Sequence, residues 1–170
     1  MFIKNSISAL LLSSIFISSP LLAENNNKLI SLGYAYVKVK EAPALNGISL
    51  KLQSQPNSKK IAGQFSAIIA QKSFSNNQRL RYASLSMGPV YALTPYLELY
   101  GTLGVSGLGY KVKTNKKMND NAGSVSWGAG VTFTPYKNMA LIIGYEGSYF
   151  KIAERHLPTN TLIANLGYRF

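Results

Sequence analysis

Hydrophobic and polar residues alternate over the last ten positions of the chain, from Thr161 to Phe170. One parity is apolar at every position, and the opposite parity is mostly polar or small. A period of two is typical of a β-strand with one apolar and one polar face. A strand of about ten residues with this pattern is the repeating unit of a transmembrane barrel, in which the apolar face contacts lipid and the polar face lines the lumen. The apolar parity consists of Leu162, Ala164, Leu166, Tyr168 and Phe170.

Earlier segments show the same alternation. Between 48 and 53, isoleucine and leucine alternate with serine, lysine and glutamine, and between 124 and 133 apolar residues alternate with serine, glycine and threonine. The segments 97–106 and 141–148 follow the same rule, and the rows assigned to lipid contain no charge. Strands of this kind span a membrane only as a closed sheet. The alternation predicts strands at about 28–38, 46–55, 61–71, 79–92, 96–110, 122–134, 138–150 and 161–170.

Prolines mark the connections between these strands. Pro56, Pro95 and Pro135 fall 39 and 40 residues apart, and because proline cannot donate to a sheet ladder, they indicate tight turns. The remaining connections, at 39–45, 72–78, 111–121 and 151–160, are longer and more polar. This asymmetry predicts an all-β fold, an eight-stranded antiparallel up-and-down transmembrane β-barrel with short periplasmic turns, longer extracellular loops and both termini in the periplasm.

Pro89 lies inside the fourth predicted strand, next to Gly88. A proline there forfeits a ladder hydrogen bond, and such prolines are found mainly at edges and bulges. We therefore expect a β-bulge beside Gly88.

The first 23 residues do not follow the strand pattern. Lys4 precedes an apolar, serine-rich run from Ile7 to Ile17, and Pro20 stands before Leu21, Leu22 and Ala23. This order is typical of a cleaved export signal. The run is too short to span a bilayer as a helix. We expect a signal peptide at 1–23, a barrel domain at 24–170, and localisation in the bacterial outer membrane.

Charged residues in the middle of the strands all fall on the polar parity. Lys51 and Arg169 are positive, and Glu98 and Glu146 are negative, so the charges sum to zero. Eight strands enclose space for side chains and not for an aqueous channel. Since an unpaired buried charge is costly, we predict a cross-lumen ion-pair network that closes the lumen.

Basic residues concentrate where the strands meet the longer connections, in a chain with a formal charge of +12. Near a bilayer surface, such residues favour contact with the phosphates of lipopolysaccharide. Further out, they favour capture of a polyanion such as heparan sulfate, or of an acidic host protein surface. The two roles are compatible. We assign the first to Lys38, Lys40, Lys72, Arg79 and Arg81, and the second to Lys111, Lys113, Lys116, Lys117, Lys151 and Arg155.

Tyrosines sort to the two ends of the predicted strands. Amphipathic rings at headgroup depth form the aromatic girdles of membrane barrels. We place Tyr91, Tyr96, Tyr136 and Tyr168 in the girdle at the turns, and Tyr36, Tyr82, Tyr110 and Tyr149 in the girdle at the loops.

The sequence offers little for catalysis. Barrel enzymes that act on lipid acyl chains need a histidine close to a serine or an acid, and the single histidine, His156, falls in the predicted fourth loop. The chain contains no cysteine, which excludes disulfides, thiolate metal ligands and a cysteine nucleophile. We assign no catalytic residue, no cofactor and no metal site, and expect no nucleic-acid partner.

Five segments in order along the chain resemble the Ail/Lom/OmpX family of outer-membrane proteins. They are Ser31–Ala35, Ser84–Tyr91, Leu99–Gly101, Ser124–Gly130 and Leu166–Phe170. The resemblance implies an eight-stranded barrel. For some members it also implies adhesion to host cells, binding of host matrix or complement-regulating proteins, and serum resistance. We therefore expect an attachment protein that acts through basic extracellular loops. The alternative is a structural barrel that stabilises the lipopolysaccharide leaflet without a dedicated host ligand.

The resemblance also implies that the C-terminal strand is read by the barrel-assembly machinery. Deletion of Phe170 should therefore lower the amount of folded protein in the outer membrane, measured as the heat-modifiable band on a gel of isolated membranes. An unchanged amount would contradict this role of the terminal aromatic residue.

Overall fold

The computed structural model describes residues 26–56, 60–74, 78–112, 118–152 and 155–170, which form a closed barrel of antiparallel strands. Each strand pairs with its sequence neighbours, and β1 pairs with β8 to close the sheet. We call the end that carries the 40–44 connection the loop end, and the end that carries the 95–96 and 137–138 connections the turn end. The strands are β1 (Asn26–Val39), β2 (Leu45–Pro56), β3 (Ile61–Phe74), β4 (Gln78–Thr94), β5 (Leu97–Val112), β6 (Met118–Tyr136), β7 (Met139–Ile152) and β8 (Arg155–Arg169).

All eight predicted strands are confirmed, and several reach further toward the loop end than expected. β6 begins at Met118, and β8 begins at Arg155, within the predicted connection at 151–160. There the ladder continues to the pair Ile152 and Arg155. Polar side chains do not prevent this extension, because each added residue pair satisfies backbone donors and acceptors. The predicted signal peptide lies outside the described residues.

The described residues contain no helix long and apolar enough to cross a membrane.

The alternation of faces is confirmed. Outward-facing Leu103, Val125 and Leu166 are 67%, 68% and 66% exposed, whereas their inward-facing neighbours Thr102 and Ser126 are buried. Apolar groups therefore cover the outer wall, where they contact lipid, and polar groups point into the lumen.

The lumen is less polar than the sequence suggested. Its part nearest the loop end holds a buried apolar cluster, in which the rings of Tyr82 and Phe150 meet edge to face with centroids 6.2 Å apart. A second apolar cluster lies toward the turn end. Eight strands enclose only enough space for side chains, so apolar packing closes the lumen together with the polar groups between the clusters. The loop-end cluster consists of Ala35, Val37, Val39, Leu45, Ile68, Ala70, Leu80, Tyr82, Leu108, Phe150 and Ile163.

The bulge expected beside Gly88 is wrong. The pairing of β4 with β5 has the same register before and after Gly88 and Pro89, and the shift occurs between Ala92 and Thr94, next to the turn. Pro89 therefore loses ladder bonding to β5 without an inserted residue. A side chain on Gly88 would collide with the carbonyl oxygen of Gly101, so glycine permits the close approach of β4 and β5 here.

The ladder between β6 and β7 stops short of the loop end. Within the described residues, their pairing begins at Ser126 and Ser148; beyond this point β6 pairs with β5 and β7 pairs with β8. The Ser124 hydroxyl bridges the split, because it accepts a hydrogen bond from the Tyr149 amide at 3.1 Å and donates to the Tyr149 carbonyl. The barrel wall thus has a seam at the loop end, where one edge of β6 faces one edge of β7.

A charge on the outer wall should reduce the free energy of unfolding by an amount that depends on its depth in the membrane. Replacement of Leu103 by Arg should lower the free energy of unfolding by about 2–4 kcal/mol, because this position lies midway along β5. The matched change Leu93→Arg, at the turn end, should cost about 0–1 kcal/mol. Urea unfolding in lipid vesicles measures both, and equal costs would contradict the membrane placement.

Candidate functional site

Arg169 and Glu98 form a salt bridge inside the barrel toward the turn end. The guanidinium Nη2 lies 2.9 Å from the Glu98 Oε1 atom. The second carboxylate oxygen accepts a hydrogen bond of 2.9 Å from Gln53 Nε2. Strand parity positions the three side chains, because all of them lie on inward-facing rows of their strands. Glu98, buried at this depth, thus has both oxygens satisfied.

Lys51 and Glu146 also lie inside the lumen but do not form a salt bridge with each other within the described part of the chain. The Lys51 ammonium donates a hydrogen bond of 2.6 Å to the Tyr100 hydroxyl and lies 3.9 Å from the centroid of that ring. Glu146 accepts a hydrogen bond of 2.8 Å from the Tyr82 hydroxyl and one of 3.4 Å from Ser86. Of the four charges assigned to the network, the structure thus brings only Arg169 and Glu98 into direct contact.

The assignment of Tyr82 and Tyr110 to an outer aromatic girdle is wrong. Tyr82 is buried in the lumen, and Tyr110 packs against the same apolar cluster. Their positions near the strand ends suggested the membrane surface, but parity decides whether a side chain faces lipid or the lumen. Tyr82 shares the parity of buried Leu80, and Tyr110 shares the parity of buried Leu108. The other tyrosines assigned to the girdles are exposed; they are Tyr36, Tyr91, Tyr96, Tyr136, Tyr149 and Tyr168.

One group of basic residues, which we call the β4–β5 patch, lies on the outer wall at the loop end. Arg79 and Arg81 are exposed and share the outward parity of β4. Lys111 stands opposite Arg79 in the ladder between β4 and β5. Because residues two apart on a strand share a face, the two arginines present their charges side by side on the wall.

A second group, which we call the β7–β1 patch, consists of Lys38, Lys40 and Lys151, all of which are exposed. The Lys38 ammonium donates a hydrogen bond of 3.1 Å to the Ala42 carbonyl, and Lys151 pairs in register with exposed His156. Since β8 closes the barrel against β1, this patch lies on the wall opposite the β4–β5 patch.

Lys72 belongs to neither patch. It is partly buried and shares the inward parity of buried Ile68 and Ala70, so its position does not support the lipopolysaccharide contact assigned to it. Lys113, Lys116 and Lys117 lie outside the described residues. Lys111 and Arg155 are described only by their strand positions.

No group of three or more histidine, cysteine, aspartate or glutamate residues that could hold a metal ion occurs in the described part of the chain.

A closed eight-stranded barrel with an apolar outer wall defines the class of outer-membrane β-barrel proteins. The sequence profile of the outer membrane protein beta-barrel domain matches residues 8–170. The chain belongs to this family and, within it, to the Ail/Lom/OmpX proteins. It is therefore a multi-pass protein of the bacterial outer membrane.

Three proteins similar to this chain illustrate the family. Outer membrane protein X of Enterobacter cloacae is 30% identical over 132 residues, which cover 74% of each chain. Virulence membrane protein PagC of Salmonella typhimurium is 25% identical and covers 95% of this chain and 98% of its own. The crystal structure of Ail, the attachment invasion locus protein of Yersinia pestis, in complex with the heparin analogue sucrose octasulfate has a TM-score of 0.78. It is 26% identical and covers 86% of this chain and 100% of that chain.

Substitution of a glutamate in the lumen should destabilise the protein more than the same substitution of an exposed glutamate. Glu146→Gln should lower the free energy of unfolding by about 1–3 kcal/mol, because it removes a buried hydrogen-bonded carboxylate and leaves the Lys51 charge uncompensated. The same change at exposed Glu41 should have little effect. Chemical unfolding in detergent measures both variants, and equal midpoints would exclude a stabilising role for the Glu146 charge.

Proposed function

We propose that this protein is a surface attachment protein that binds sulfated polyanions of the host through the basic residues at its loop end. The observation that carries the proposal is the placement of exposed Lys151, assigned above to a polyanion, on one wall with exposed Lys38 and Lys40, beside the 40–44 connection. Lys38 and Lys40 were assigned above to lipopolysaccharide, and we now include them in the polyanion site because of this placement. The loop end is the end we predict to face outward from the cell. Lysines arranged in this way present a cationic surface to a ligand outside the cell.

The comparisons support a polyanion as the ligand class. Ail of Yersinia pestis binds sucrose octasulfate in its crystal structure, and the match with that protein covers 86% of the chain described here. The names of PagC and Ail connect the family with virulence and attachment. We infer that the shared barrel carries a similar task here.

Exposed charges bind a polyanion by summing many weak contacts. A single exposed ion pair contributes about 0–1 kcal/mol, so several lysines are needed for useful affinity. Since charges in solvent are screened over about 8 Å at physiological ionic strength, such binding must weaken as salt rises. Electrostatic attraction also speeds the encounter with the ligand.

The alternative is a structural role in the lipopolysaccharide leaflet. It is favoured by the β4–β5 patch, because Arg79 and Arg81 both lie on the outer wall within β4, whereas Lys40 of the β7–β1 patch lies in the 40–44 connection. A guanidinium binds phosphate through two parallel hydrogen bonds. Because the two patches lie on opposite walls, one can hold the leaflet while the other meets a host ligand.

Charge reversal separates the two roles. Reversal of Lys38, Lys40 and Lys151 to glutamate should weaken heparin binding by intact cells about tenfold, because three contacts of roughly 0.5 kcal/mol each are lost. Reversal of Arg79 and Arg81 should leave heparin binding nearly intact and weaken the membrane barrier, measured as detergent sensitivity.

Two further measurements control this experiment. Reversal of Lys60 and Lys137, which are exposed at the turn end, changes the net charge without changing the loop end and should not affect heparin binding. A salt series should reduce binding by the unaltered protein. Binding that resists both salt and the triple reversal would contradict the proposal and direct attention to the open strand edges at the seam between β6 and β7, which can pair with an extended peptide.

A further inference from the structure

Three buried hydroxyl groups in the lumen have no hydrogen-bond partner within the described part of the chain. Ser84, Ser126 and Thr161 are 3%, 0% and 0% exposed, and the side-chain oxygen of each is unpartnered there. A buried polar group without a partner is costly, and folded proteins pair almost all such groups with other protein groups or with ordered water. The three hydroxyls therefore indicate a small polar ligand inside the barrel.

The stagger of the strands brings these three hydroxyls to one depth. One circuit of the ladder that begins at Ser31 returns to β1 at Val39, so the register moves toward the loop end by one position for each strand. With this offset, Ser126 on β6 lies at the depth of Ser84 on β4. Thr161 on β8 lies at the depth of Ser126. Alternate strands thus direct hydroxyls toward the same part of the lumen.

The carboxylate of Glu146 belongs to the same part of the lumen. Glu146 pairs with Thr161 in the ladder between β7 and β8. Its side chain crosses the lumen to β4, where it accepts hydrogen bonds from Tyr82 and Ser86. An ionised carboxylate has about four acceptor sites, so Glu146 can accept further hydrogen bonds from a ligand.

The ammonium of Lys51 lies a short distance nearer the turn end. It donates to the Tyr100 hydroxyl at 2.6 Å, and this hydroxyl lies so close to Gly144 that an added Cβ atom there would collide with it. Gly144 and Glu146 are successive inward positions on β7, which lie roughly 7 Å apart. The bond to Tyr100 uses one of the three ammonium donors, so Lys51 can also bind a ligand placed between it and Glu146.

Short side chains leave room for such a ligand. The ladder circuit that begins at Ser31 passes only serine, threonine, glycine and Lys51 before it returns to β1. Short side chains on the wall leave volume near the barrel axis, which longer side chains of other rows or small molecules can occupy. The two apolar clusters lie toward the two ends of the lumen, so they separate this polar part from bulk solvent.

We propose that this part of the lumen binds a cluster of water molecules, which joins the Glu146 carboxylate to the three unpartnered hydroxyls and extends to Lys51. Water fits this set of groups, because it donates to a carboxylate, accepts from an ammonium and does both with a hydroxyl. A buried water molecule makes about three hydrogen bonds to polar groups that lack other partners.

An ion fits the same place less well than water. The four charged residues assigned to the lumen sum to zero, so a bound sodium or chloride ion would add a buried charge without compensation. Neutral water satisfies the hydroxyls without changing this balance. The water cluster does not depend on the host ligand proposed above.

The test removes one hydroxyl and keeps the shape of the side chain. Thr161→Val should increase the equilibrium constant for unfolding about fivefold, because the water cluster loses a hydrogen-bond partner. If the Thr161 hydroxyl had no ligand, valine would replace an unpaired buried polar group and the constant would fall. Urea unfolding in lipid vesicles measures the constant.

The matched control is Thr159→Val. Thr159 is the next inward position of β8 toward the loop end, is 1% exposed and also has an unpartnered hydroxyl. It pairs with apolar Val39 in the ladder between β1 and β8 and lies outside the proposed cluster, so this variant should not increase the constant. Ser126→Ala should increase it, and this variant replaces Thr161→Val if that protein does not fold. Heat-dependent gel mobility shows folding, and heparin binding should be unchanged in all variants.

A high-resolution crystal structure of the unaltered protein provides the direct observation. It should show water molecules hydrogen-bonded to Ser126, Thr161 and Glu146. Crystals that show these groups without water would overturn the proposal, and so would an unfolding constant that falls in both Thr161→Val and Ser126→Ala.

Two further outcomes would also overturn the proposal. The first is an equal increase of the unfolding constant in Thr161→Val and Thr159→Val, which would make the effect independent of the cluster. The second is stabilisation by added sodium or potassium at fixed ionic strength that Thr161→Val abolishes, which would assign the hydroxyls to a cation. Loss of heparin binding in the lysine variants does not bear on the lumen, so the two proposals fail independently.

Discussion

This structure depends on one constraint. Every backbone amide and carbonyl group inside the hydrocarbon must have a hydrogen-bond partner within the protein. Lipid offers no partner to a free amide or carbonyl, so strands can span the membrane only as a closed sheet. The pairing of β1 with β8 meets this demand, and it forces side chains to alternate between lipid and lumen. The seam between β6 and β7 occurs only near the loop end, where water can satisfy the unpaired edges.

Closure with eight strands leaves a narrow lumen, and this restricts how charge is buried. The Arg169–Glu98 pair joins two opposite charges directly, whereas Lys51 and Glu146 each rely on a tyrosine hydroxyl. An aromatic side chain with a polar tip suits this space, because its ring fills volume and its hydroxyl satisfies a charge. The interior is thus a packed core in which the charges are distributed among apolar layers.

The outer wall performs two tasks at the loop end. Below the strand ends it meets lipid, and at the strand ends it presents cations. The β4–β5 patch and the β7–β1 patch lie on opposite walls because β4 and β5 are separated from β8 and β1 by half of the strand order. The barrel therefore presents two separate cationic surfaces at its loop end.

The sequence by itself determined the number of strands, their faces and the class of protein, because a period of two and proline spacing are local signals. Glu98, Glu146 and Tyr100 could be placed in the lumen from parity alone. The partners of these groups required the tertiary structure, since Gln53 meets Glu98 across the barrel. The register shift near Ala92 and the split between β6 and β7 at the loop end also depended on it. Strand stagger sets which residues of distant segments share a depth, and a single sequence carries no local signal for that stagger.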